Sequence, residues 1–154
     1  MTKRTIANTD WSKLRTNTQI DMSQTNTAPI AVVGAISREK GIELTMQFKS
    51  SINIPKYLVF LEELRRRKPF DDIMLISDNL NVHRSQITIQ RMNELGFRFG
   101  WTPRYQPAYN GIEETWSNSK SYIKAKRLNA IVNGRPVELS KLIDESFEKM
   151  KIMG

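Results

Sequence analysis

The chain has no cysteine among its 154 residues. Disulfides and thiolate metal sites are therefore excluded. It has a single histidine, His83, too few for a histidine-rich metal centre, and no Ser-His-Asp arrangement announces itself. Any site for a hard metal ion must then be built from oxygen ligands. Long hydrophobic runs are also lacking. The longest, Ile30 to Ile36, falls far short of the roughly 20 apolar residues that a membrane helix needs. Met1 is followed by polar residues rather than an apolar run, so the expectation is an intracellular chain, nuclear in a eukaryote and otherwise cytoplasmic. Acids are scarce beside bases, 16 against 24, which leaves a net charge of +8. That excess favours a polyanionic partner, of which nucleic acid is the commonest. A basic protein with no such partner is the alternative reading of the same charge.

What is present suits one globular unit, with 39% hydrophobic and 26% charged residues. Residues 1–28 are rich in Thr and Asn and poor in large apolar groups, and read as a weakly ordered leader or the remnant of a preceding element. The body, 29–154, opens on the apolar run 30–36, a buried strand. After Lys40-Gly41, the residues Ile42, Leu44, Met46 and Phe48 alternate with polar ones, the period of a half-buried strand. Pro55 opens a helix with Tyr57, Leu58, Leu61 and Leu64 as its apolar stripe, closed by Arg65-Arg66-Arg67-Lys68 and stopped by Pro69. Residues 72–78 form the next strand. His83-Arg84-Ser85 leads into a helix to about Leu95, capped by Gly96, and a short strand follows over 97–101. A proline-punctuated loop, a helix from Gly111 to about Arg127 and a last helix over about 138–152 complete the chain. The expected architecture is α/β, a mixed sheet flanked by helices.

Two acids stand at element ends. Asp78 closes a buried strand, and Glu113 lies in the first turn of a helix that follows a strand and loop. Sites in such sheets gather at the carboxyl ends of strands. Each acid also has a purely structural reading. Asp78-Asn79 is a good turn pair, and Asn110 with Glu113 fits a capping box. His83 reads first as a packed or helix-capping residue. The basic clusters, Arg65 to Lys68 and Lys120, Lys124, Lys126 and Arg127, read first as solvated helix ends. Arg98 and Arg104, flanking the last strand and the proline loop, are better placed to contact phosphate. Trp101 and Trp116 read as core rather than as stacking platforms.

Two segments carry a resemblance. Asp78-Asn-Leu-Asn-Val-His-Arg-Ser85 resembles the D-N-x-x-x-H-x-S segment of Tc1/mariner-like DDE transposases. Pro103-Arg-Tyr-Gln-Pro-Ala-Tyr-Asn-Gly-Ile-Glu-Glu-Thr-Trp116 resembles their P-x-Y-S-P-x-x-N-P-I-E-x-x-W segment. The 34 residues between Asp78 and Glu113 match the family's spacing. Val33-Gly-Ala-Ile36 is similar to the family's second strand, and Trp11 to an aromatic before it. The resemblance implies an RNase H-like fold and metal-dependent DNA cleavage and strand transfer. Asp78 and Glu113 would be the second and third acids and ligands of Mg2+ or Mn2+. Asn79, His83 and Asn110 would neighbour the site, and Arg98, Arg104, Lys120 and Lys124 would contact DNA. It also implies a homodimer on paired DNA ends, with no membrane and no small-molecule cofactor.

The chain departs from the family at Gly111, Gln106 and Leu80, where proline, serine and alanine are usual. The larger departure lies upstream. Nothing before residue 29 reads as the family's first strand or supplies its first acid. Asp10 and Asp21 are the aspartates there, and neither sits in an apolar run. The expectation is therefore an RNase H-like sheet missing its first strand. Functionally it is a transposase core, a DNA-binding module derived from one that no longer cuts, or a different RNase H-like nuclease or integrase.

Overall fold

The computed structural model describes residues 3–9, 30–103 and 112–153, and for 3–9, 152 and 153 it describes the backbone. Five strands form one sheet in the order β3-β2-β1-β4-β5. They are β1 (Lys3–Thr9), β2 (Ala31–Ser37), β3 (Gly41–Phe48), β4 (Ile73–Ser77) and β5 (Arg98–Trp101). The helices are α1 (Ile54–Arg67), α2 (Asn81–Arg84), α3 (Gln86–Glu94), α4 (Ile112–Val132) and α5 (Leu139–Met153). Among the described residues no helix is long and apolar enough to cross a membrane.

The first strand is not missing. Lys3–Thr9, within the stretch read as a weakly ordered leader, lies third in the sheet. It runs antiparallel to β2, with Asn8 opposite Gly34, and parallel to β4, with Ile6 beside Ile76. The sequence hid it because Lys3-Arg-Thr-Ile-Ala-Asn-Thr9 has neither an apolar run nor clean alternation. Its place is set by two partner strands whose backbone groups would otherwise go unpaired in the middle of the sheet.

The sheet is mixed because β1, β4 and β5 are parallel while β2 and β3 form an antiparallel hairpin. Side chains alternate across it and feed two cores. Val33, Ala35, Leu44, Ile73 and Leu75 pack with Tyr57, Phe60, Leu61 and Leu64 of α1 and with Met92 of α3. Val32 and Ile42 pack with Ile112, Trp116 and Ile123 of α4 and with Leu139, Ile143 and Phe147 of α5. Each fully buried aliphatic or phenylalanine side chain contributes about 1.5–3 kcal/mol, so two such layers hold the sheet from both sides.

Helix ends follow local chemistry. Asn53 caps α1, its side-chain oxygen accepting from the Lys56 amide at 3.1 Å, with Pro55 in the first turn. The helix that His83-Arg84-Ser85 leads into is α3, and it starts just after Ser85. That residue has extended backbone and caps α3 by accepting from the Thr88 amide at 3.1 Å. Gly96, at φ 72°, ends α3 in the left-handed conformation that glycine tolerates. Helix α4 runs past the expected Arg127 to Val132, so Lys120, Lys124, Lys126 and Arg127 lie along it rather than at its end.

The basic cluster after Leu64 is structural. Arg65 donates to the carbonyls of Lys68 and Asp71, both at 2.9 Å, and stacks on Phe97. Arg66 and Arg67 pair with Glu63 and pull its carboxyl down to about 2. Lys68 binds Glu43 at 2.8 Å, with side chains 11% and 4% exposed, and Asp71 at 3.5 Å. Burial lowers the Lys68 ammonium, but the bonds and charges of Glu43 and Asp71 outweigh burial and leave it raised.

Candidate active site

Asp78 follows β4 directly, at the carboxyl edge of the sheet, and its position is fixed by the short helix α2. The Asp78 Oδ1 lies 2.7 Å from Nδ1 of His83, and the Leu80 amide reaches the same oxygen at 3.4 Å. The His83 Nδ1 also lies 3.2 Å from the Asp78 carbonyl oxygen. Both acceptors face one ring nitrogen, so that nitrogen carries the proton. His83 is 0% exposed and its ring packs 4.7 Å from Tyr57. Burial, and then the charge of Asp78, hold the Tyr57 phenol well above its ordinary range. The histidine is thus packed, as its sequence reading had it, but it is packed against the acid. Asp78 itself is 30% exposed, and its side-chain contacts among the described residues fall on Oδ1, so none of those residues occupies Oδ2.

Asn79 fastens the next strand to this edge. Its side-chain amide donates to the Thr102 carbonyl at 2.7 Å, and the Thr102 amide donates to the Ser77 carbonyl at 2.8 Å. The side-chain oxygen of Asn79 is thereby turned toward Arg84, which donates to it at 3.3 Å.

Glu113 lies in the first turn of α4. What positions it is Trp116, one turn further on. A Cβ added to Gly34 would fall 2.5 Å from the Trp116 ring, so the glycine leaves the hollow that the indole fills. Trp116 also meets Phe147 edge to face at 5.6 Å. Gly34 is in register with Asn8, and the β1–β4 register carried two residues beyond Ile6 and Ile76 sets Asn8 beside Asp78. The tryptophan therefore fixes α4 over the row that leads to Asp78, with Glu113 about one 5.4 Å turn away along the helix. Lys120 and Lys124 follow Glu113 at spacings that keep them on its face of the helix, and both are exposed.

Arg98 is not at this edge, contrary to expectation. It opens β5 and binds both oxygens of Asp72, at 3.1 and 2.7 Å. Because β4 and β5 are parallel and Met74 pairs with Arg98, four residues, about 13 Å of strand, separate it from Asp78. Arg104, Asn110 and Gly111, and the aspartates Asp10 and Asp21, lie outside the described residues, as does Trp11. Strand β1 itself carries no carboxylate between Lys3 and Thr9. Among the described residues no group of three or more His, Asp or Glu side chains is poised to hold a metal. Asp78 and Glu113 supply hard oxygen donors of the kind magnesium prefers, which it commonly takes one or two at a time beside a substrate phosphate.

The family model of DDE superfamily endonucleases matches residues 3–131. The chain belongs to the DDE superfamily endonucleases. A chain of the cryo-EM structure of the simian T-cell lymphotropic virus intasome in complex with PP2A regulatory subunit B56 gamma has the same fold. The TM-score is 0.66 at 12% identity, over 92% of this DDE domain and 46% of that chain. The domain thus spans less than half the length of that relative. No curated protein matches the chain. The fold is RNase H-like, as the resemblance implied.

The structure adds one residue that the sequence did not single out. Arg84, inside the Asp78–Ser85 segment, lies with its guanidinium 5.4 Å from the Trp101 ring centroid. The signal available was its place next to His83, but nothing in the spacing showed that β5 would bring Trp101 beneath it.

Proposed function

We propose that the chain is the DNA-handling core of a Tc1/mariner-like transposase. DNA would lie across the carboxyl edge of β4, and Asp78 and Glu113 would face the phosphodiester. The observation that carries this reading is the clasp of Asp78 by buried His83, which commits one carboxylate oxygen while none of the described residues occupies the other. The segments 78–85 and 103–116 and their spacing support the subfamily part of this reading.

In this reading Asp78 and Glu113 hold a divalent metal, magnesium or manganese. When bound, the metal would supply Lewis acidity toward the phosphodiester oxygens. His83 orients Asp78 and keeps its carboxylate from swinging. Trp116 on Gly34 holds the helix that bears Glu113. Lys120 and Lys124, two and three turns beyond Glu113, contact backbone phosphates and set register without reading sequence. Transposases of this type work as dimers on paired ends, and we extend that expectation to this chain.

A second reading is favoured by one observation, the absence of a carboxylate in Lys3–Thr9. Without a third acid beside Asp78 and Glu113, the chain would hold DNA through its basic surface and not cut it. Metal-dependent nicking of a labelled duplex, beside the Asp78→Ala variant, separates the two. Nicking that is lost in the variant supports the nuclease, and nicking undiminished in the variant removes Asp78 from the site. No nicking, with binding that weakens steeply as salt rises, supports the DNA-holding module. Binding that is flat with salt overturns both readings.

A further inference from the structure

We infer that Arg84, laid on Trp101 beside Asp78, is a preorganised phosphate-binding arm for the DNA strand that occupies this edge. The inference deepens the DNA-handling reading above and rests on it.

Six arginines lie between residues 54 and 101, and five of them are spent within the fold. Arg65 is held by two carbonyls, Arg66 and Arg67 by Glu63, Arg91 by Glu62 and Glu94, and Arg98 by Asp72. Arg84 differs. Its partners are the neutral side-chain oxygen of Asn79, at 3.3 Å, and the face of Trp101, at 5.4 Å. It is exposed, and among the described residues no acid or carbonyl takes its charge. A guanidinium has five donors in a fixed plane, so one bond and one stacking contact leave most of them facing outward.

The residues that hold Arg84 are themselves held. Asn79 has its amide committed to Thr102, which fixes the side chain with its oxygen toward Arg84. Trp101 ends β5 and meets Phe99 edge to face at 5.6 Å. Arg84 is therefore tethered at this edge before any ligand arrives, which reduces the side-chain freedom lost on binding. The ligand that suits an outward, planar, uncompensated guanidinium is a phosphate, which accepts two parallel hydrogen bonds from it.

Position selects the phosphodiester near the acids rather than a distant one. His83 and Arg84 are consecutive on the four-residue helix α2. One grips Asp78 and the next presents the cation, so any shift of α2 moves both together. A positive group here would also offset the repulsion between the DNA backbone and the carboxylates of Asp78 and Glu113.

The test is fluorescence anisotropy of a labelled duplex oligonucleotide with the full chain and its Arg84→Ala, Arg84→Lys, Arg98→Ala and Lys124→Ala variants, across a salt series without metal. Arg84→Ala should bind about tenfold more weakly, and its log-affinity against log-salt slope should fall by about one. Arg84→Lys should recover less than half of that loss on the logarithmic scale, because an ammonium keeps the charge but not the stacked plane. Arg98→Ala, already neutralised by Asp72 at the other edge, should stay within about twofold of the parent. An Arg84→Ala variant that binds like the parent while Lys124→Ala weakens would overturn the inference and leave the DNA reading standing. Full recovery in Arg84→Lys would overturn the preorganised arm. A parent chain that does not bind would overturn both readings together.

Discussion

At the amino end of β4 and β5, Asp72 and Arg98 close on each other and Lys68 is shared between Glu43 and Asp71. At the carboxyl end, about one strand length away, no described residue takes the second oxygen of Asp78 and no described acid pairs with Arg84. The residue types are the same at both ends. At the first, charges neutralise one another and hold α1, the β2–β3 hairpin and the strand starts together. At the second, histidine, asparagine and tryptophan hold charged groups in place without neutralising them all. Charge that the fold leaves uncompensated is available to a ligand, and that difference marks the working edge more clearly than the count of charged residues does.

The largest effect should come from opening the closed end. Lys68→Ala leaves Glu43, 4% exposed, as a buried charge without its partner, and should cost about 3 kcal/mol in urea unfolding. A Lys68→Met, Glu43→Leu pair should recover most of that loss, and failure to recover would show that the two residues do more than neutralise each other. The pair also has a pH signature. The Lys68 ammonium is raised in the fold, so its contribution is complete below the ordinary lysine value and lost as pH rises through the folded one. The urea midpoint of the parent should fall toward that of Lys68→Ala only in strongly alkaline buffer, while that of the double variant stays level.

Next comes the contact that ties α4 to the sheet. Gly34→Ala drives a methyl into the Trp116 ring and should cost about 1–3 kcal/mol in the same assay. An unchanged midpoint would mean that α4, and Glu113 with it, can shift without penalty. At the open end the sign of the comparison reverses. Asp78→Asn keeps an oxygen for His83 and should alter stability by less than about 1 kcal/mol, while metal-free DNA affinity rises because a carboxylate facing the backbone is gone. A large loss of stability would recast Asp78 as a structural acid. The smallest effect belongs to the exposed pair at the closed end. Arg98→Ala should cost below about 1 kcal/mol, and a larger loss would blur the distinction between the two ends.

The two acids were legible because their signals are local. Asp78 sits where a buried run meets a turn pair, Glu113 sits in a helical first turn, and the segments around both match a family at the right spacing. The β2–β3 hairpin, α1 and α5 were legible for the same reason, since each writes its period into consecutive residues. Strand β1 was not, because Lys3–Thr9 has no period of its own. Arg98 was expected beside the site because it is close to the proline loop in sequence, but parallel pairing carried it to the opposite edge.

The sequence by itself determined the DDE superfamily, two candidate acids, the excess of positive charge and most of the elements, all of which depend on residue type and short-range spacing. The tertiary structure decided which of those charges remain open. Only the sheet order and layer packing put Gly34 under Trp116, Arg98 on Asp72 and Trp101 under Arg84. Those pairings join residues brought together by strand direction and layer packing. Neutralisation depends on distance in space, and spacing along the chain does not encode it.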